Sequence, residues 1–131
     1  AQRLIDATKQ SFYEGIKFAR NGYRIIDISA AIEDYVLERG YSVVREFVGH
    51  GIGREMHEEP QIPNYRCKGQ RNRLETGMTL AIEPMVNEGT HKVKVLENGW
   101  TVVTIDGKLS AHYENTIAIT DEEPIILTKL D

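Results

Sequence analysis

The stretch of sequence that decides the fold is GMTLAIEPMV, residues 77–86. Its apolar residues predict a β-strand from Met78 to Val86. Glu83 lies inside this strand, where a carboxylate is costly to bury unless it is paired or bound to a metal. Pro84 has no amide hydrogen to donate to a neighbouring strand, so we expect the strand to be interrupted at this point.

Further strands are predicted on both sides of this stretch. They are rich in β-branched and aromatic residues and cover residues 41–48, 92–96, 100–105, 110–119 and 125–128. Asn98-Gly99 is a strong hairpin signal between two of them. The strand over residues 110–119 carries a second carboxylate, Glu114, just before an apolar run.

Two helices are predicted before the strands. Apolar residues recur at helical spacing over residues 2–20, and Asn21-Gly22 is expected to end that helix. A second helix follows, with Asp27 or Ser29 as its candidate N-cap and Gly40 as its stop. Two helices followed by mainly antiparallel strands predict an α+β fold class, and a length of 131 residues predicts a single domain.

Composition excludes several classes of function. The net charge is −4 and no cluster of lysine and arginine stands out, so we expect no nucleic-acid partner. The single cysteine, Cys67, forms no internal disulfide, which is typical of a reducing compartment. No signal peptide and no apolar run near 18 residues is present, so we expect a soluble, cytoplasmic protein with no membrane partner.

The stretch GHGIGREMHEEP, residues 49–60, holds two of the four histidines of the chain. It opens a region without clear periodicity, residues 49–77, which we predict to be a long loop that is either functional or disordered. His50 is expected at the end of a strand, and His57 follows seven residues later. Imidazole and carboxylate ligands suit zinc, cobalt, manganese or iron.

The alternative for each of these residues is an ordinary structural role. A lone glutamate on a strand commonly faces solvent, and a lone loop histidine is commonly a surface residue. Glu83 and Glu114 can converge only if they point to the same face of the sheet. Two strand glutamates together with the histidine loop favour a metal site over these alternatives.

Three segments resemble a known family. They are GHGIGREMHEEPQIPNY (residues 49–65), GMTLAIEPMV (77–86) and NGWTVVTIDGKLSAHYENTIAIT (98–120). In this order they are similar to the C-terminal half of type I methionine aminopeptidases, which have the pita-bread fold. The resemblance implies that residues 1–131 form half of that fold and that the N-terminal lobe is absent.

The resemblance also implies a metal centre. His50, Glu83 and Glu114 match metal ligands of the family, and Glu83 also matches a catalytic residue that moves protons. The family binds two divalent cations, Co, Mn, Fe or Zn, through five side chains, two of which are aspartates of the N-terminal half. No aspartate here has the matching strand context, so three of five ligands remain, and we expect one bound metal or none.

The substrate residues follow from the same resemblance. His57 matches a catalytic histidine that contacts the substrate, while Met56 and Trp100 match residues that line the pocket for the methionine side chain. The implied function is a hydrolase, an aminopeptidase that removes the N-terminal methionine from nascent polypeptides. The alternative is a catalytically inactive half-domain that acts as a binding, structural or engineered self-associating module.

The expected partners follow from the missing lobe. Besides the N-terminus of a peptide or nascent chain, we expect either the N-terminal lobe as a separate chain or a second copy in a homo-oligomer, because a lone half exposes the surface that meets its counterpart.

Overall fold

The computed structural model describes residues 1–45, 48–51, 58–67, 72–95 and 102–128. Helix α1 spans Gln2–Ile16 and helix α2 spans Ile25–Glu38. Both predicted helices are therefore present. Neither helix in these ranges is long and apolar enough to cross a membrane.

The helix ends differ from the prediction. Helix α1 ends at Ile16 and not near residue 20, because the amide of Phe18 bonds the carbonyl of Gly15, which tightens the chain into a turn. At the start of α2 the carboxylate of Asp27 accepts a 2.8 Å hydrogen bond from the backbone amide of Arg24, the N-cap residue. Both candidate N-caps are therefore wrong, because Asp27 is the third residue of the helix and Ser29 lies further inside it.

Ten strands follow the helices in the described ranges. They are β1 Ser42–Val43, β2 Gly49–Gly51, β3 Glu58–Ile62, β4 Thr79–Ile82, β5 Met85–Asn87, β6 Val93–Val95, β7 Val102–Thr104, β8 Ser110–His112, β9 Asn115–Ala118 and β10 Ile125–Ile126. They form a five-stranded sheet in the order β10-β9-β4-β2-β3, a three-stranded sheet in the order β1-β5-β8, and the β6-β7 hairpin. Every pairing is antiparallel.

Some predicted strands are shorter or divided. The expected interruption at Pro84 is confirmed, and it sends β4 and β5 into different sheets. The continuous strand predicted over residues 110–119 is wrong, because β8 pairs with β5 while β9 pairs with β4, and the chain must cross between the sheets at Tyr113-Glu114.

Residues 49–77 are also not a loop throughout. They contain β2 and β3, which the glycine-rich composition concealed. Of the predicted strand over residues 41–48, β1 remains, and residues 46–47 lie outside the described part. The Asn98-Gly99 turn lies outside it as well, although its hairpin is confirmed by the pairing of Val93 with Thr104.

One hydrophobic core joins the helices to the sheets. Among its fully buried side chains are Phe12, Ile28 and Ile32 from the helices and Leu80, Ile82 and Ile117 from β4 and β9. A Cβ atom at Gly15 would lie 2.7 Å from Cγ1 of Ile32, so the two helices approach closely at that glycine. The opposite face of β4 and β9 carries Thr79, Ala81, Thr116 and Ala118, and it is on this face that the candidate site lies.

Candidate metal centre

Glu83 and Glu114 flank two paired strands of the five-stranded sheet. Glu83 directly follows β4 and Glu114 directly precedes β9. The last residues paired between these strands are Ile82 and Asn115, so one further step of the same antiparallel register places the two glutamates opposite each other. Their side chains are hydrogen-bonded to each other.

This contact changes the chemistry of Glu83. Burial, the charge of Glu114 and the hydrogen bond to Glu114 together raise the pKa of Glu83 to about 7. Near neutral pH Glu83 therefore holds a proton in a large part of the molecules, and it shares this proton with Glu114 through their hydrogen bond. Such a pair is a poor place for two negative charges and a good place for a proton or a cation that neutralises them.

The backbone of His50 belongs to the same part of the sheet. His50 pairs with Ala81 of β4, which in turn pairs with Thr116 of β9. Paired positions share a face of a sheet. Position 83 lies two residues after Ala81 and position 114 lies two residues before Thr116, and in an extended backbone a step of two residues returns to the same face. The register therefore brings positions 50, 83 and 114 to one face, while the imidazole of His50 is not among the described side chains.

Gly49 allows β2 to lie between its neighbours at this point. A Cβ atom on Gly49 would collide with the carbonyl oxygen of Ala81 and lie 3.1 Å from Cβ of Ile62. The glycine therefore permits a close backbone approach on both sides, directly before His50. The sequence signal for this role is the G-H-G pattern of residues 49–51.

The chain around Glu114 is held by buried polar groups that the sequence analysis missed. Asn115 is buried, and its Nδ2 donates to the hydroxyl of Tyr113 at 2.8 Å. The hydroxyl of Thr128 donates to Oδ1 of Asn115 at 2.7 Å and accepts from the amide of Thr116 at 2.9 Å. The residues on both sides of Glu114 are thus tied to each other and to the chain after β10.

Glu83 has a similar support from a distant part of the sequence. Nδ2 of the buried Asn64 donates to the main-chain carbonyl of Glu83 at 3.2 Å. The signal in the sequence was weak, because Asn64 follows a proline in what reads as a polar loop. Neither asparagine could have been linked to a glutamate without the register of the sheet.

Three predicted site residues remain. His57, Met56 and Trp100 lie outside the described ranges, so their roles stay predictions. Within those ranges no group of three or more histidine, cysteine, aspartate or glutamate side chains gathers around one point. The described part of the centre is the pair of Glu83 and Glu114.

The donor set of this pair fits a divalent cation. It offers up to four carboxylate oxygens on neighbouring segments, with Glu83 half-buried and Glu114 exposed. With an imidazole at position 50 it becomes a mixed nitrogen and oxygen set, which suits zinc, cobalt, manganese or iron.

Comparison with known proteins gives a consistent picture. Residues 1–121 match metallopeptidase family M24. The chain is 57% identical to a methionine aminopeptidase of Clostridium perfringens, over 98% of this chain and 51% of that protein. It is 51% identical to methionine aminopeptidase 1 of Bacillus subtilis, over 98% of this chain and 52% of that protein.

A solved structure agrees with these relatives. The crystal structure of a methionine aminopeptidase from Thermotoga maritima superposes with a TM-score of 0.94 at 49% identity, covering 98% of this chain and 52% of that one. The predicted α+β architecture, half of the pita-bread fold, is confirmed. The chain spans about half the length of the relatives it matches.

Proposed function

The chain belongs to metallopeptidase family M24, and from that premise we propose that it supplies metal- and substrate-binding residues of a methionine aminopeptidase. The substrate is the N-terminus of a peptide or nascent polypeptide. Water is added across the first peptide bond, so that the carbonyl carbon of methionine gains a hydroxyl group and the nitrogen of the second residue gains a proton.

The observation that carries this proposal is the pair of Glu83 and Glu114. A structural glutamate on a strand end needs no second carboxyl group against it, and two facing carboxylates repel each other at neutral pH. The arrangement becomes favourable when a cation replaces the shared proton. Identities of 57% and 51% to methionine aminopeptidases support the same conclusion.

In this proposal His50, Glu83 and Glu114 hold a divalent cation, Co, Mn, Fe or Zn. A cation bound there supplies Lewis acidity for the scissile carbonyl and lowers the pKa of water. We assign Glu83 to take a proton from water and return it to the leaving amine. Glu114 lies opposite Glu83, and its carboxylate offsets part of the positive charge of the cation.

The substrate is held by residues outside the described ranges. We assign His57 to the substrate carbonyl, where an imidazole can donate a hydrogen bond as negative charge develops. Met56 and Trp100 are assigned to the pocket for the methionine side chain, because both offer large apolar contact surfaces.

The ligand set proposed for this chain is incomplete. It provides three of five ligands, and the relatives have about twice its length. We therefore propose that an N-terminal lobe supplies the remaining ligands, and that without it the same surface pairs with a second copy of the chain. In the described part of the five-stranded sheet β10 pairs on one side with β9, and Ile125 of β10 and the adjacent Leu127 are 55% and 54% exposed, which favours such a contact.

A second candidate function is favoured by the same half-length match. A half-domain with retained ligands but no turnover would act as a binding or structural module. It would still associate through the edge at β10, but it would release no methionine.

A complementation assay tests the first function against the second. The purified chain is incubated with Co²⁺ or Mn²⁺ and a Met-Gly peptide, alone and with a separately produced N-terminal half of the Clostridium perfringens relative. We expect methionine release only with the added half. Release by the chain alone would contradict the shared ligand set, and no release in either case would favour the binding module.

Two variants make the assay specific. His57→Ala should abolish turnover and leave Co²⁺ binding largely intact, because the proposed role of His57 is toward the substrate. Glu114→Gln should reduce both, whereas Glu122→Gln, an exposed glutamate in the turn before β10, serves as the control and should change neither.

A further inference from the structure

We propose that Asn64 is a positioning residue of the candidate metal centre and that its amide fixes the main chain at Glu83 so that the two carboxyl groups meet. This role rests on the proposed function, since it concerns the same centre. Asn64 is distant from Glu83 in sequence and was not among the residues that the family resemblance singled out.

Asn64 supplies a hydrogen bond where the strand ladder is broken. Pro84 interrupts the strand and has no amide hydrogen, so the chain between β4 and β5 leaves its regular partners. The carbonyl of Pro84 accepts a 3.1 Å bond from the amide of Tyr113. The carbonyl of Glu83 accepts a 3.2 Å bond from Nδ2 of Asn64. These two bonds stabilise the bend from which the Glu83 side chain projects.

The segment that carries Asn64 is itself fastened to helix α2. On one side of Asn64, the hydroxyl of the buried Ser29 donates to the carbonyl of Pro63 at 2.6 Å. On the other side, the guanidinium of Arg66 makes two bonds to the carboxylate of Asp34, at 2.7 and 2.8 Å. The main chain of Glu83 is therefore linked through Asn64 and its neighbours to helix α2.

Asn64 is wholly buried, which makes its single described bond informative. It is 0% exposed, and its Oδ1 has no hydrogen-bond partner among the described residues. Burying an amide with one oxygen unpaired costs free energy. A leucine, which has the same branching at Cγ, would avoid that cost, so the position of the Nδ2 donor is the feature that needs an asparagine.

The chain contains a matched control in Asn87. It is also 0% exposed, it also has an unpaired Oδ1 in the described structure, and its Nδ2 donates to a main-chain carbonyl, that of Thr90, at 2.9 Å. The acceptor belongs to the turn after β5 and not to either glutamate. Asn64 and Asn87 are therefore alike in burial and in donating to a main-chain carbonyl, but they stabilise different segments of the chain.

The test compares Asn64→Leu with Asn87→Leu in two measurements. In the metal-free chain, the ¹³C signals of the Glu83 and Glu114 carboxyl groups at pH 6 should move in Asn64→Leu and stay in place in Asn87→Leu. In a Co²⁺ titration followed by visible absorption, Asn64→Leu should weaken binding about tenfold or more, and Asn87→Leu less than about twofold.

Rescue separates positioning from stability. Asn64→Gln keeps an amide N–H donor without adding a metal ligand and should recover part of the Co²⁺ affinity, because the carbonyl of Glu83 regains its partner. Equal effects of the two leucine variants on both measurements, or no effect of Asn64→Leu, would overturn the proposal. If either leucine variant fails to fold, Asn64→Ser and Asn87→Ser take their places in the same comparison.

The two proposals fail in distinguishable ways. If the unaltered chain takes up no Co²⁺, the proposed metal centre is wrong, and the carboxyl signals of the metal-free variants still decide whether Asn64 positions Glu83. If the unaltered chain binds Co²⁺ but Asn64→Leu binds it equally well, the metal centre stands and the role of Asn64 is wrong.

Discussion

Glu83 and Glu114 face each other across the ends of β4 and β9, and their carboxyl groups are hydrogen-bonded. The chain passes from the five-stranded to the three-stranded sheet at Glu83 and from the three-stranded to the five-stranded sheet at Glu114. The register of β4 and β9, continued by one residue, places both side chains on one face of the sheet.

The first prediction concerns stability without metal. The pKa of Glu83 is raised from 4.5 to about 7, so the folded chain holds a proton that the unfolded chain has lost between these values. The free energy of unfolding should therefore fall as pH rises from about 5 to 8. A full shift would correspond to about 3 kcal/mol, and solvent screening of this half-buried group reduces the expected loss to about 1–2 kcal/mol.

Urea unfolding at pH 5 and pH 8 measures this loss. Glu83→Gln carries no titrating group at this position, so it should lose less stability than the unaltered chain over the same interval. Titratable groups away from this pair are the same in both proteins, so their contributions cancel in the difference. Identical pH dependence in the two proteins would show that Glu83 is not perturbed by its neighbour.

The second prediction concerns the coupling of metal and proton. A cation must displace the shared proton, so Co²⁺ affinity should rise as pH increases through about 7. Calorimetry at pH 6 in buffers of different ionisation enthalpy should report release of about one proton per Co²⁺ bound. Binding without proton release at pH 6 would place the cation elsewhere.

The third prediction concerns the strand that carries His50. Gly49→Ala should destabilise the chain by about 2 kcal/mol, because the added methyl group meets the carbonyl of Ala81 and the backbone has to shift. Gly22→Ala is the control. Gly22 has φ of 93° with open space around it, so the cost there arises from backbone strain alone and should be about 1 kcal/mol. Chemical denaturation of both variants shows which substitution lowers the free energy of unfolding more.

The fourth prediction concerns the support of Glu114. Thr128→Val keeps the shape of the side chain but removes the hydroxyl that joins Asn115 to the amide of Thr116. We expect a loss of about 1–2 kcal/mol in the free energy of unfolding, since a buried acceptor is left unpaired. Thr76→Val removes an exposed bond to Asp121 and should cost less than about 0.5 kcal/mol. Similar losses for both would mean that the Thr128 bonds are weak.

Local patterns in the sequence predicted the elements but not their connections. The helical spacing of apolar residues predicted α1 and α2, and Pro84 predicted the end of β4. The crossing at Glu114 had no local signal, because residues 110–119 read as one apolar strand and the division arises from pairing with two different strands. The pairing of positions is a long-range property that periodicity does not encode.

The candidate site was likewise only partly predictable from local patterns in the sequence. Its acidic residues were predictable because a carboxylate in an apolar strand is conspicuous. Asn64 was not, because a polar residue after a proline in a loop is ordinary until its burial and its bond to the carbonyl of Glu83 are known. Asn115 was hidden for a similar reason, since its partner Thr128 lies beyond the next strand.

The most direct test of the proposed metal centre is a crystal structure of the chain soaked with Mn²⁺, with the metal located by its anomalous scattering. We expect one anomalous peak about 2.0–2.3 Å from carboxylate oxygens of both Glu83 and Glu114. In a crystal of Glu114→Gln this peak should be absent. A crystal saturated with Mn²⁺ in which these two carboxyl groups still share their hydrogen bond, with no peak beside them, would contradict the proposed metal centre.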